Sequence, residues 1–282
     1  MLAPAVLYIA LVVGVPFLLS IVLAVTDVRV GSDVVRFVGF QNFSGLFASP
    51  SFREALGNSL LFTVVSQILV MTFATFLALG LEDAFRGRRL VRFLMLLPWV
   101  APISLGAFGW KWILDSLYSV VNWSLAALGW ADPVAPPMWL GEPGLAMASV
   151  VAVQVWRMTP FATVILLAGL TSIPRDIPEA AQVDGAGFWR THFELTLPMI
   201  RPIVAVASLF GIIVTFTDMS VVYILTRGGP HDATQVLPSL AFQTGILGGA
   251  ISEGAAISLF LAPVLFAVAL LMLRVAKKSE VV

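Results

Sequence analysis

The chain has 282 residues, 59% of them hydrophobic and 11% charged, with a formal net charge of zero and no cysteine. Soluble domains carry roughly 25% charged residues, so this composition, with a mean hydropathy of +0.98, excludes a soluble globular protein and indicates an integral membrane protein. The neutral balance argues against nucleic acid as a partner, and the lack of cysteine excludes disulfide and thiol chemistry.

A membrane-spanning helix needs about 20 mainly apolar residues to cross about 30 Å of hydrocarbon. The first run that meets this need is Leu2–Thr26. It is too long for a signal-peptide core and has no basic flank before it, so it reads as a retained span. Its charge-free start predicts a short cytoplasmic leader ahead of this numbering. The second run is Leu56–Leu81, where Gln67 and the Asn58–Ser59 pair read as interhelical hydrogen-bonding groups. The third is Phe93–Leu114, with Lys111 snorkelling near its outer end. Trp110, Trp112, Trp123, Trp130 and Trp139 cluster around the loop that follows. They read as a membrane-interface belt; the alternative is an aromatic surface for a sugar or a docking protein. Leu145–Leu170, Ile203–Leu225 and Ala255–Leu273 complete six spans. No period-2 alternation supports a β-barrel. Backbone groups in lipid must be satisfied within the segment, so each run is expected to be helical. Pro16, Pro98, Pro102, Pro160 and Pro263 predict kinks or broken turns inside the runs.

Loop cations set the orientation. Arg86, Arg88, Arg89, Arg92, Arg175, Arg190, Arg201, Arg274, Lys277 and Lys278 fall on one side; Arg29, Arg36, Arg53 and Arg227 fall on the other. The positive-inside rule places the larger group, and both termini, in the cytoplasm.

Between spans four and five lies a polar passage, residues 172–202, containing "EAAQVDGAGFWRTHFELTLPMIRP". Asp176 is placed to cap a helix, with Glu179 three positions on completing a capping box and Pro178 in the first turn. Ala180, Ala181 and Gln182 favour helix. Gly185 and Gly187 end it. A second helical stretch, Phe188 to Leu195, is closed by Leu197-Pro198 and Arg201-Pro202. On these residues alone, a well-capped loop and a docking element are equally good readings.

The pattern Glu179-Ala180-Ala181, three residues, Gly185, nine residues, Leu195, one residue, Leu197-Pro198 resembles the signature of inner-membrane permease subunits of ATP-binding-cassette importers. Leu195 stands where that family usually has isoleucine. "FVGFQNFSGLF", "FREALGNSLLFT" and "RRLVRFLMLLPWVAP" extend the likeness, and "ILTRGGPHDAT" resembles the maltose and glycerol-phosphate branch of sugar permeases. The resemblance implies an all-α, six-span type I (MetI-like) permease domain filling residues 1–282, in a prokaryotic inner membrane, with a cytoplasmic coupling helix between spans four and five. It implies carbohydrate import by alternating access, with a second homologous permease, two ATPase subunits and an extracytoplasmic solute-binding protein as partners. Glu179, Ala180, Ala181, Asp184 and Gly185 would form the surface that docks on the ATPase. A side chain at 185 would obstruct close backbone approach.

The chain has no GxxxxGK[ST] phosphate loop, so it is expected to hydrolyse no ATP itself; ATP and Mg would belong to the partner ATPase subunits. No cofactor, metal site or catalytic group is expected, and its two histidines, His192 and His231, read as solvated or packing residues. Charges inside spans are costly and are functional candidates by default. Arg157 and Asp218 are two such charges. They either pair with each other or meet a polar substrate, and Gln154, Trp156 and Thr159 lie close enough in sequence to Arg157 to line the same path. Two alternatives are a glycerol-3-phosphate-type importer, whose substrate Arg157 would serve, and a self-sufficient ion-coupled carrier, against which stands the lack of an evident repeat.

Overall fold

A computed structural model describes residues 3–32, 34–82 and 84–278, with side chains as far as residue 274. Helices dominate: α1 (Ala3–Ala24), α2 (Gln41–Ala48), α3 (Pro50–Glu82), α4 (Arg88–Val100), α5 (Ile103–Ile113), α6 (Val120–Ala127), α7 (Pro143–Thr171), α8 (Asp176–Val183), α9 (Phe188–Met199), α10 (Arg201–Thr217), α11 (Ser220–Leu225), α12 (Leu237–Leu247) and α13 (Ile251–Arg274). Among the described residues there is no β-strand, only an isolated bridge between Thr26 and Phe37.

Four helices, α1, α3, α7 and α13, are each long and apolar enough to cross a membrane alone. The other two candidate spans are helix pairs. The stretch expected as one third span is α4 and α5, bent by 94°. Ala101, between them, is extended (φ −65°, ψ 142°), because the ring of Pro102 clashes with a helical preceding residue. Pro98, by contrast, lies inside α4, and α7 runs on through Pro160. In α1 the chain widens to i→i+5 bonding over Ala10–Gly14, just before Pro16. At the N-terminal end of the fifth candidate span, α9 and α10 meet at 75°. The stretch Ile203–Leu225, expected as a single helix, is interrupted at its other end: Asp218 is extended (φ −90°, ψ 129°) between α10 and α11.

The core is the contact of α3 with α7. Phe62, Val70, Ala74 and Ala78 of α3 are buried in one cluster with Val150, Val153, Met158 and Leu166 of α7. Alanines on α3 let the backbones approach, which is how helices associate in lipid without a hydrophobic driving force between them. Both α4 and α10 flank α7, and α10 also packs on α13. At the start of α13, α12 lies so close that a Cβ on Gly254 would stand 2.5 Å from the Cα of Gly245. Ser59 and Asn58 fasten the N-terminal part of α3: the Leu237 N–H donates to Ser59 Oγ at 2.8 Å, and Asn58 Nδ2 donates to the Asp232 carbonyl at 3.0 Å. The Ser59 bond is an interhelical tie of the kind the sequence predicts; Asn58 ties the helix to a turn instead.

Candidate functional site

The polar passage between α7 and α10 folds as a helical hairpin. α8 starts at Asp176, but Asp176 does not cap it. Arg175 already has helical angles (φ −63°, ψ −28°), and no side chain bonds the free N–H groups. A cap needs an extended residue before the helix, and the tight turn out of α7 leaves none. Asp176 and Glu179 instead place negative charge in the first turn, the end that favours it. The other end matches expectation. Gly185 takes φ +80°; its N–H reaches the Gln182 carbonyl at 3.0 Å, and the Ala186 N–H reaches the Ala181 carbonyl at 2.9 Å. This pair of bonds is a Schellman motif, which requires a left-handed residue where glycine has no penalty. Nothing lies within 4 Å of a Cβ built on Gly185. Within this chain, then, the demand on Gly185 is conformational and not spatial.

Ala180, Asp184 and Gly185 are exposed and Ala181 is half-buried; Glu179 is also exposed but borders the cleft between the hairpin and α3. The other face of the hairpin rests on the C-terminal end of α3. Leu79 and Glu82 line a cleft of about 400 Å³ with Pro178, Gln182 and His192. His192 Nε2 lies 3.7 Å from a Glu82 carboxylate oxygen, and its Nδ1 is 2.7 Å from the Phe188 carbonyl. The histidine is thus a packing residue that joins hairpin to helix; His231 is exposed.

The second region lies where α7 meets α10. Arg157 and Asp218 are joined by a hydrogen-bonded ion pair, their side chains only 18% and 16% exposed. The break after α10 makes this contact. It turns the Asp218 carboxylate so that one oxygen takes the Arg157 guanidinium and the other accepts the Ser220 N–H at 2.7 Å, starting α11. Gln154, one turn from Arg157 and fully buried, donates to Thr215 Oγ1 at 2.9 Å. Trp156 and Thr159 do not join this group. The Thr159 hydroxyl is used on the Val155 carbonyl at 2.7 Å. Trp156 stands edge-on to Trp110 with ring centroids 5.6 Å apart. Both residues line an apolar cleft of about 940 Å³ between α3, α4 and α7. The five candidates therefore divide into a polar trio, Gln154, Arg157 and Asp218, and two residues on a greasy wall.

Sequence reading missed Thr215 and the neighbours of Gln67. Gln67, expected to make an interhelical hydrogen bond, makes none among the described residues; it packs its amide on the bare backbone of Gly211, where a Cβ would meet its oxygen at 2.2 Å. Thr63, Ser66 and Gln67 each keep a buried polar atom without a partner among the described residues, as does Gln154. The signal available was a run of three polar residues on one side of α3, opposite a glycine in α10.

The profile of the family described as "Binding-protein-dependent transport system inner membrane component" matches residues 72–278. The chain belongs to that family. The trehalose/maltose transport system permease protein MalF of Thermococcus litoralis is 35% identical over 212 residues, covering 75% of this chain and 70% of MalF. The sn-glycerol-3-phosphate transport system permease protein UgpA of Yersinia pseudotuberculosis is 31% identical over 227 residues, covering 80% of this chain and 76% of UgpA. A bacterial ABC transporter involved in import of the acidic polysaccharide alginate has a chain of the same fold, with TM-score 0.83 and 23% identity over 99% of this chain and 94% of that one. The permease is accordingly a multi-pass inner-membrane component of an ABC importer. Its interrupted helices gain a reason: irregular backbone at membrane depth is tolerated where it is buried in protein or lines a cavity.

Proposed function

We propose that this permease carries a carbohydrate, a di- or oligosaccharide or related polyol, into the cytoplasm by alternating access driven by separate ATPase subunits. The observation that carries the reading is the exposed Schellman turn at Ala181–Ala186, braced from behind by the C-terminal end of α3. A rigid, short hairpin of this kind can transmit a push from a docked subunit into the longest helix of the bundle. Glu179, Ala180, Ala181, Asp184 and Gly185 form the docking surface. The partners are a second homologous permease, two ATPase subunits that bind ATP and Mg, and an extracytoplasmic binding protein. Both termini lie in the cytoplasm, with the hairpin.

The polar trio gives the substrate region. Gln154, Arg157 and Asp218 offer donors and acceptors beside an interrupted helix, as hydroxyl-rich ligands require. Because Arg157 is already neutralised by Asp218, it has little charge left for an anion. A neutral sugar therefore fits better than glycerol 3-phosphate, although the likeness to UgpA keeps that substrate as the second reading. The test is to purify the complex with its binding protein, place it in liposomes, and measure ATP hydrolysis and uptake with a panel of sugars and with glycerol 3-phosphate. Stimulation by a neutral sugar supports the proposal. Ion-gradient-driven uptake by this chain alone would overturn it.

A further inference from the structure

Where α9 turns into α10, a cleft of about 460 Å³ opens between the elbow and α3. Met71 and Phe76 of α3 form one wall; Phe193 of α9 and Val204 of α10 form the other. Arg201, exposed, stands in this lining and makes no hydrogen bond or ion pair among the described residues. The lining contains no carboxylate. Thr72 and Thr75 also border the cleft, but their hydroxyls are donated to the Ile68 and Met71 carbonyls at 2.7 Å each. The cleft is therefore apolar with a single free cation. A sugar would find almost nothing there to satisfy its hydroxyls. Arg201 also begins α10, the end of a helix that disfavours positive charge, so its charge calls for an anion from outside the chain.

The depth fits. α3 has 33 residues, a length of about 50 Å against about 30 Å of hydrocarbon. Its last residues, Leu79 and Glu82, already lie under the hairpin. Thr72–Phe76 lies about 10–15 Å back along the helix, which puts the cleft at the inner edge of the hydrocarbon. Trp189 marks the same level. It is exposed, edge-on to Phe76 with centroids 6.2 Å apart, and stacked on Phe193 at 5.8 Å, the interfacial position that tryptophan prefers.

We infer that this cleft is a binding site for an anionic phospholipid of the cytoplasmic leaflet, with the phosphate on Arg201 and an acyl chain along Met71, Phe76, Phe193 and Val204. The leaflet follows from the orientation proposed above; the lipid class follows from the cleft itself. Since the lipid sits in the crook of the α9–α10 elbow, it braces the joint between the hairpin and the spans.

The chain has no cysteine, so Thr72→Cys gives this subunit a single attachment point for a fluorophore, placed before assembly with cysteine-free partner subunits. In the purified complex, reconstituted with graded fractions of brominated phosphatidylglycerol or brominated phosphatidylcholine, phosphatidylglycerol should quench that label at about fivefold lower mole fraction, the worth of one cation near a charged surface. Arg201→Ala should erase the preference and Arg201→Lys should keep part of it. Val204→Trp, which fills the cleft, should reduce quenching by both lipids. Equal quenching by the two lipids in the otherwise native protein, a preference that survives Arg201→Ala, or its loss to millimolar inorganic phosphate would overturn the inference. So would efficient cross-linking of residue 72 to another subunit. None of these readouts needs transport, so failure here is separable from failure of the proposed function.

Discussion

Breaking the Arg157–Asp218 pair one side at a time should cost far more than removing it whole. Both side chains are less than one-fifth exposed. Arg157→Met leaves the Asp218 carboxylate buried without its cation; Asp218→Asn leaves the guanidinium without its anion. Each such orphaned charge costs about 3–5 kcal/mol, a large share of a typical stability of about 5–15 kcal/mol. Asparagine still has an oxygen to accept the Ser220 N–H, so the start of α11 is preserved and the charge alone is tested. The double variant Arg157→Met/Asp218→Asn strands no charge and should return to within about 1–2 kcal/mol of the parent, since removing both charges of a buried pair is often nearly neutral. Thermal unfolding in detergent, together with the amount of complex recovered from membranes, gives the cycle. Single variants within about 0.5 kcal/mol of the parent, or a double variant equal to the sum of its singles, would refute a buried pair. If the double variant assembles and yet fails in uptake, the trio serves substrate as well as structure.

Three further outcomes follow from backbone and loop geometry. Gly185→Ala should cost the hairpin about 1–2 kcal/mol, the left-handed penalty, and reduce uptake and ATPase docking, while Gly185→Asn, which tolerates that conformation, should retain much more of both; equal loss in both variants would place the cause in a clash and not in the turn. Gly254→Ala should destabilise by about 1–3 kcal/mol, because its Cβ would meet the Gly245 backbone at 2.5 Å, whereas Gly57→Ala in α3, with nothing within 4 Å, should be neutral or stabilising; the same melting temperature for both would contradict the close approach of α12 and α13. The Asp115 carboxyl, just beyond the C-terminal end of α5, is held below the usual carboxylate range by the Tyr118 and Leu117 N–H groups, at 3.0 and 2.8 Å. A depressed folded value means the tie is present above the ordinary carboxylate pKa and is lost as pH falls through the lower value. Hydrogen exchange at Leu117 and Tyr118 should therefore show protection that persists through neutral pH and fails only in acid; protection indifferent to acid would exclude the contact.

Much of the fold could be read from apolar runs, because lipid forces helices on every such run. The breaks could not. Pro98, Pro102 and Pro160 look alike in sequence, yet among the three only Pro102 ends a helix. The interruption at Asp218 has no proline at all; the aspartate supplies its own reason by turning to meet Arg157 and the Ser220 N–H. The hairpin was legible to the residue at Gly185 but not at Asp176, where the geometry of the preceding turn overrode a good capping sequence. Trp156 and Thr159 neighbour Arg157 along α7 but point to a different face. Thr215 was missed, and Gln67 was read without its true neighbour, because these contacts exist only across helices. Their partners, Gln154 and Gly211, lie far away in sequence.

The most direct measurement is a cross-link at the hairpin. Ala180→Cys, in a chain that otherwise lacks cysteine, should join an ATPase subunit carrying a cysteine in its docking cleft, only from the cytoplasmic side, and the link should stop sugar uptake until it is reduced. Labelling of residue 180 from outside the cell, or uptake that proceeds while residue 180 never comes within linking distance of an ATPase subunit, would contradict a motor-driven hairpin.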